Sequence, residues 1–285
     1  MGSLQTLLDL IQLDQETSSL FVGSNFETPW GRVFGGQVLS QALYAATQTV
    51  PHDRIAHSLH AYFILAGDIR VPIEYQVDRS RDGRSFTTRR VAALQNGETI
   101  FIMAASFQVK EKGLEHQIPM PNVPAPEHLM SDQEYYATLK DKLPQLYRRY
   151  QFPQPIEFRP VERYNPLAPT PQLPFRHIWM RVNETMPEDP RVHQQVLAYA
   201  SDYNLLSTAY MPHQMEARID QIMFASLDHA MWFHEDFRMD DWLLYAVDSP
   251  SAGNARGFTR GNIFTRNGKL IASVTQEGLM RQVAR

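Results

Sequence analysis

The chain predicts an α+β protein in which one unit, a buried helix wrapped by an antiparallel sheet, is used twice. Three observations carry that expectation. Residues 191–210 lack Gly and Pro and are apolar around most of a helical circumference. Runs of alternating apolar and polar residues are separated by turn signals, the strongest being Asn96-Gly97 and Asn267-Gly268. The same order of elements also recurs, since Asn267 follows Asn96 by 171 residues and Asp228 follows His57 by the same interval.

Composition narrows the possibilities before any motif is read. A chain of 285 residues holds one large domain or two ordinary ones. Its net charge of -4 argues against a nucleic-acid or anionic-membrane partner. With no cysteine it has no disulfide, thiol nucleophile or thiolate metal site. No apolar run approaches the roughly 20 residues that span a bilayer, and the first residues lack the basic start of a signal or transit peptide. The expected location is the cytoplasm.

In chain order, Leu4, Leu7, Leu8 and Ile11 mark a short amphipathic helix, and Ser19–Gly23 reads as a short strand. Residues 32–46 follow, where Gly35-Gly36 permits close backbone approach and Ser40, Ala42, Ala45 and Ala46 suit a buried helix. No Lys-Ser/Thr follows the glycines, so this is not a phosphate-cradling loop. Strands are expected over 55–65, 73–81, 85–95 and 99–109. Pro119, Pro121, Pro124 and Pro126 mark a linker, and Ser131-Asp132-Gln133-Glu134 caps a surface helix running to Gln151. The second unit adds strands over 156–161, 177–183, 219–234, 242–247, 257–265 and 269–279, with the helix of 191–210 among them. The expected divisions are therefore 1–112, a linker with a surface helix over 113–155, and 156–285.

Polar residues interrupt the apolar faces of the second unit. Asp202 shares a helical face with Ala198, Leu205 and Ala209. Ser226 falls among Ile222, Phe224, Asp228, Ala230 and Trp232, and Gln276 among Leu270, Ala272, Val274 and Met280. A carboxylate in such a place is either paired or has its pKa raised, and a raised carboxylate can work as a base near neutrality. Acid, hydroxyl and amide could together hold one water whose proton Asp202 takes. They could equally be three separate groups, each bonded to nearby backbone. Direct attack by Ser226 is the lesser alternative, because no nucleophile elbow surrounds it.

Other polar side chains are weaker candidates. His57, on the face of Ile55, Leu59, Ala61 and Phe63, is a secondary candidate acid or base, or a core histidine. His57 and His60 lie three apart on a strand, hence on opposite faces, and no His-Glu-x-x-His occurs, so no metal is expected. His229, Trp232 and His234 read as packing or rim residues. Arg89, Arg90, Arg256 and Arg260 could meet an anionic ligand or simply be solvated.

Six segments run through nearly the whole chain: Val33-Phe34-Gly35-Gly36-Gln37-Val38, His57-Ser58-Leu59-His60-Ala61-Tyr62-Phe63, Arg81-Asp82-Gly83-Arg84-Ser85-Phe86, Ala200-Ser201-Asp202, Leu227-Asp228-His229-Ala230-Met231-Trp232-Phe233-His234 and Gln276-Glu277-Gly278. In these the sequence resembles the type II acyl-CoA thioesterases, the TesB family. The resemblance implies a double hot-dog fold and hydrolysis of acyl-CoA over a broad range of chain lengths, with no metal or cofactor. It implies Asp202, Ser226 and Gln276 as catalytic residues, with Ser226 where relatives carry Thr, and His57 as a secondary site. A homo-oligomer, dimer or tetramer, is expected. A non-hydrolytic acyl-CoA binder and an enoyl-thioester hydratase are the alternatives.

Overall fold

A computed structural model describes residues 2–28, 31–150 and 154–283. The chain opens with α1 (Leu4–Ile11), capped by the Ser3 hydroxyl, and a small hairpin edge of β1 (Asp14–Gln15) and β2 (Leu20–Gly23). Next come α2 (Gly35–Gln48) and the strands β3 (Arg54–Phe63), β4 (Ile73–Asp82), β5 (Phe86–Gln95) and β6 (Glu98–Val109). Two short helices follow, α3 (Asp132–Thr138) and α4 (Pro144–Tyr150), then β7 (Ile156–Pro160) and β8 (Phe175–Val182). The second unit is completed by α5 (Pro190–Ser201), α6 (Leu205–Tyr210), β9 (Ile222–Ser226), β10 (Asp228–Phe233), β11 (Leu243–Gly253), β12 (Arg256–Thr265) and β13 (Leu270–Gln282).

All the strands join one antiparallel sheet in the order β1-β2-β4-β5-β6-β3-β10-β13-β12-β11-β8-β7, with β9 also on β13. The two units meet edge to edge where β3 pairs with β10, Leu59 opposite Met231 and Ala61 opposite His229. Each central edge is thereby paired rather than exposed. The sheet curls around α2 and α5, whose side chains from Gly36 to Leu43 and from His193 to Ser201 are buried. The Asn-Gly turns sit where expected, with Asn96 and Gly97 both at positive φ (52° and 81°), as a tight hairpin requires. The architecture is the twice-used helix and sheet that the duplication predicts, in the tandem hot-dog arrangement that the resemblance implies.

Four expectations need correction. The helix expected over 191–210 is two helices, because α5 ends at Ser201 and Asn204 takes a left-handed conformation (φ 68°) before α6. Asn is among the few residues that tolerate this region. Asp202 is thus the C-cap of α5, not a mid-helix residue. The strand expected over 219–234 begins with a 3₁₀ turn and breaks at Leu227. Ser226 lies opposite Gly278 but Ala230 opposite Thr275, so one extra residue is accommodated there. Beyond the break the inward residues are His229, Met231 and Phe233, in place of Asp228, Ala230 and Trp232.

The surface helix begins as expected, with Ser131 and Glu134 forming a reciprocal capping box. It then splits, because Pro144 cannot donate into a continuing helix and instead starts α4. Its expected last residue, Gln151, lies outside the described residues. The fourth correction concerns His57. A register shift between Ala56 and Ser58 lets Ala56, Leu59 and Ala61 face the core, while His57 stays half-buried.

The segment after β6 lies across the outer face of the second unit. Gln117 bonds Gly268 O (2.8 Å) and Leu270 N (3.1 Å), and the Trp179 indole donates to Pro124 O. Met120, Val123 and Leu129 thus close a second core around Trp179, Trp242, Leu244 and Phe264. On the first unit's outer face Tyr62 and Ile102 remain exposed.

Candidate active site

The site forms where the end of α5 meets the start of α2. Asp202, as C-cap, projects beyond the last helical turn toward Gly36, whose amide donates to Oδ2 at 2.9 Å. Phe34 precedes α2 without offering a side-chain cap, so the first amides of that helix are open to an outside acceptor. The glycines are required by closeness. A Cβ on Gly35 would come within 2.7 Å of Asp202 Oδ2, and one on Gly36 would strike the carbonyl of Tyr199. The positive end of the α2 dipole therefore faces the carboxylate.

The other two polar residues arrive from the sheet. Gln276, almost fully buried on β13, donates from Nε2 to Asp202 Oδ1 (3.1 Å) and contacts Ser226 Oγ (2.5 Å). Ser226, the last residue of β9, lies 3.4 Å from the same carboxylate oxygen. The structure thus brings together all three residues singled out in the sequence, around one carboxylate edge. Ser226 reaches it because β9 pairs with β13 only two residues beyond Gln276, at Gly278.

Four features beside the cluster were not assigned a role from sequence. The Gly36 amide is one, since a backbone donor leaves no mark in residue type beyond the small side chain that lets it approach. His229 is another. It is fully buried, its Nε2 is 3.0 Å from Ser201 Oγ, and burial lowers its pKa while Asp202 and Gln276 oppose that shift. The third is an aromatic wall: Phe34 packs on Tyr199 (5.2 Å) and Tyr203 (4.7 Å), and Phe158 on Tyr203 (5.3 Å). Tyr199 and Tyr203, four residues apart, also meet each other (5.8 Å). The fourth is Phe63, whose ring borders Gly35.

His57 is not brought to the cluster. Its Nε2 bonds Ser106 Oγ at 2.8 Å, its ring meets Phe86 edge-on, and burial lowers its pKa. Of the four arginines considered for an anionic ligand, Arg90 is exposed and the other three have protein partners. Arg89 is buried against Asp82 and Thr49, Arg256 pairs with Glu277, and Arg260 with Asp248. Among the described residues no group of three or more histidine or carboxylate side chains is placed to hold a metal ion. No helix among them is long and apolar enough to cross a membrane.

Comparisons with known proteins agree with the fold and show the family. Residues 149–279 match the acyl-CoA thioesterase profile, and residues 26–108 that of the acyl-CoA thioesterase N-terminal domain. The chain is 39% identical to acyl-CoA thioesterase 2 of Haemophilus influenzae, over 98% of each protein. It is 41% identical to human acyl-coenzyme A thioesterase 8, over 97% of this chain and 88% of the relative. The crystal structure of acyl-CoA thioesterase II TesB2 from Mycobacterium marinum superposes with a TM-score of 0.81 at 40% identity, covering 97% of this chain and 98% of that one. A hot-dog protein from Alicyclobacillus acidocaldarius, 18% identical, shares the fold with a TM-score of 0.77 over 98% of this chain and 99% of that one. Fold and relatives together define a tandem hot-dog thioester hydrolase. The chain belongs to the acyl-CoA thioesterase family, in its type II, or TesB, branch.

Proposed function

We propose that this protein hydrolyses fatty acyl-CoA to free fatty acid and CoA by direct attack of water, with Asp202 as general base. The observation that carries this reading is the carboxylate of Asp202, held between Gln276 and Ser226 on one side and the α2 amide of Gly36 on the other. Ser226 and Gln276 position the water. Asp202 takes one proton as the water oxygen bonds to the thioester carbon. The carbonyl oxygen, gaining charge, is stabilised at the positive end of the α2 dipole by the Gly35 amide, since the Gly36 amide is engaged with Asp202. As the tetrahedral intermediate collapses, the C–S bond breaks and the proton on Asp202 passes to the departing sulfur.

The acyl chain is assigned to the aromatic wall of Phe34, Phe158, Tyr199 and Tyr203, which offers apolar surface next to the reacting carbon. Such a wall recognises length only through contact area, which favours a broad range of chains. A cytoplasmic location is proposed, with which a cysteine-free composition is compatible, and self-association is proposed through the exposed Tyr62 and Ile102 face. Light scattering after gel filtration reads the latter, and a monomer would contradict it.

Thiol release from a panel of acyl-CoAs of different length tests the reaction. Asp202→Asn keeps the shape and removes the base, so turnover should fall by about 10² to 10⁴-fold. Wild-type turnover in that variant would refute the mechanism. Tight acyl-CoA binding without thiol release by the native protein would identify a binder, and loss of enoyl absorbance without thiol release a hydratase.

A further inference from the structure

His229 stands behind the cluster, on the side away from Asp202's contact with α2. It lies on β10, fully buried, with Nε2 3.0 Å from the hydroxyl of Ser201, the residue before Asp202. The Gln276 side chain faces the same imidazole from the neighbouring strand. Gln276 Oε1 and His229 Nδ1 are both buried, and neither has a well-formed hydrogen bond among the described residues.

The bonding roles leave one consistent arrangement. An ionised carboxylate only accepts, so the Gln276 nitrogen must face Asp202 and its oxygen must face away. That oxygen then needs a donor, because a buried acceptor left unpaired costs about 1 to 3 kcal/mol. The imidazole can supply it only as the Nδ1–H tautomer, whose Nε2 then accepts the Ser201 hydroxyl proton. Ala198 O competes for that proton at 2.9 Å. The opposite tautomer would set the lone pair of Nδ1 against that of Oε1.

We propose that His229 is a positioning residue whose Nδ1–H holds the Gln276 amide with its nitrogen turned to Asp202 and Ser226. The assignment rests on the reading of those three residues as the water-activating cluster. Burial keeps the ring neutral, with Asp202 and Asp228 the charged groups acting on it.

The tautomer is read directly from the ring ¹⁵N resonances of the labelled wild-type protein near neutral pH. Protonated Nδ1 with bare Nε2 is expected, and the Nε2–H form would overturn the proposal. Two substitutions give the kinetic test. His229→Asn places an amide nitrogen near the lost Nδ1, whereas His229→Gln places one near Nε2. The Asn variant should keep kcat within about threefold, while the Gln variant loses about tenfold in kcat, the scale of one hydrogen bond, with KM little changed. A role in filling space alone would make both activities follow the unfolding midpoints. Equal kcat in the two variants at equal midpoints would overturn the proposal. Gln276→Ala separates the two readings. If it leaves kcat intact, the water-activating cluster itself is wrong. If it lowers kcat while His229→Gln does not, only the role of His229 falls.

Discussion

The two buried helices start and end against each other, and the two junctions are finished differently. At one, α2 begins with Gly35-Gly36 and α5 ends in Asp202, joined by the bond from the Gly36 amide to the carboxylate. At the other, α5 begins with Pro190, capped by Asp189, and Arg191 reaches Pro51 O and His52 just beyond the end of α2. There the C-cap of α2 is Thr49, and the buried Arg89 guanidinium binds its hydroxyl (2.8 Å) and carbonyl (2.9 Å), the carboxylate of Asp82, and the carbonyls of Arg81 and Thr88. A cation neutralises the negative end of a helix and satisfies its carbonyls. Pro190, lacking an amide proton, offers no donor where Gly35 does. A duplicated architecture thus supplies two equivalent places, and the residues at each decide which can do chemistry. One is open, with amides, a carboxylate and two polar companions; the other is closed.

If that contrast is right, substitutions at the two junctions should separate activity from stability. Between the two junctions, the largest effect is expected for Gln276→Ala, which removes a bond to a carboxylate and a contact with Ser226. Its kcat per folded molecule should fall by about tenfold to a hundredfold, more than the loss of one buried hydrogen-bond partner does to the unfolding midpoint. Arg89→Met should do the reverse. It strands Asp82 and the Thr49 carbonyl, costing about 2 kcal/mol because Asp82 is itself largely solvated. Calorimetry should show a midpoint lower by several degrees, while kcat per folded molecule stays within about twofold. A large loss of kcat in Arg89→Met at a temperature where it is folded would break the comparison.

Smaller effects sharpen it. Ser226→Thr adds a methyl that restricts the hydroxyl's rotamer. Its kcat should stay within about threefold of the native value, since the oxygen is retained. At the closed junction, His193 on α5 donates to Pro187 O and accepts from the Met239 amide. Burial, with a lesser push from Arg238, holds its pKa below the ordinary value. The folded protein then favours the neutral ring, so this stability is complete above the imidazole's ordinary pKa of about 6.5 and is lost as pH falls below it. The unfolding midpoint should drop between about pH 7 and pH 5, and less steeply in His193→Asn.

Much of this could be read from residues because the physics involved is periodic. Alternation and Asn-Gly turns located the strands of both units, and the same alternation exposed Ser226 and Gln276 as polar intrusions. What escaped was aperiodic. A single extra residue at Leu227 leaves no mark in composition yet reverses the faces along β10, which is why alternation set Asp228 inward and left His229 as a packing or rim residue with no link to the cluster. The turn at Tyr203-Asn204 fits helical spacing, so the break that makes Asp202 a cap was invisible. His57 was misplaced by the register shift at Ala56–Ser58. The Gly36 amide is a backbone group, and only the structure shows what it points at.

The mechanism requires that water, not Ser226, be the nucleophile. Enzyme in excess over acyl-CoA can be quenched at successive times, with CoA, free acid and intact protein mass followed together. With water as nucleophile, CoA and free acid appear in step and the protein never gains an acyl group. A burst of CoA ahead of the acid, with an acyl adduct mapped to Ser226, would contradict it.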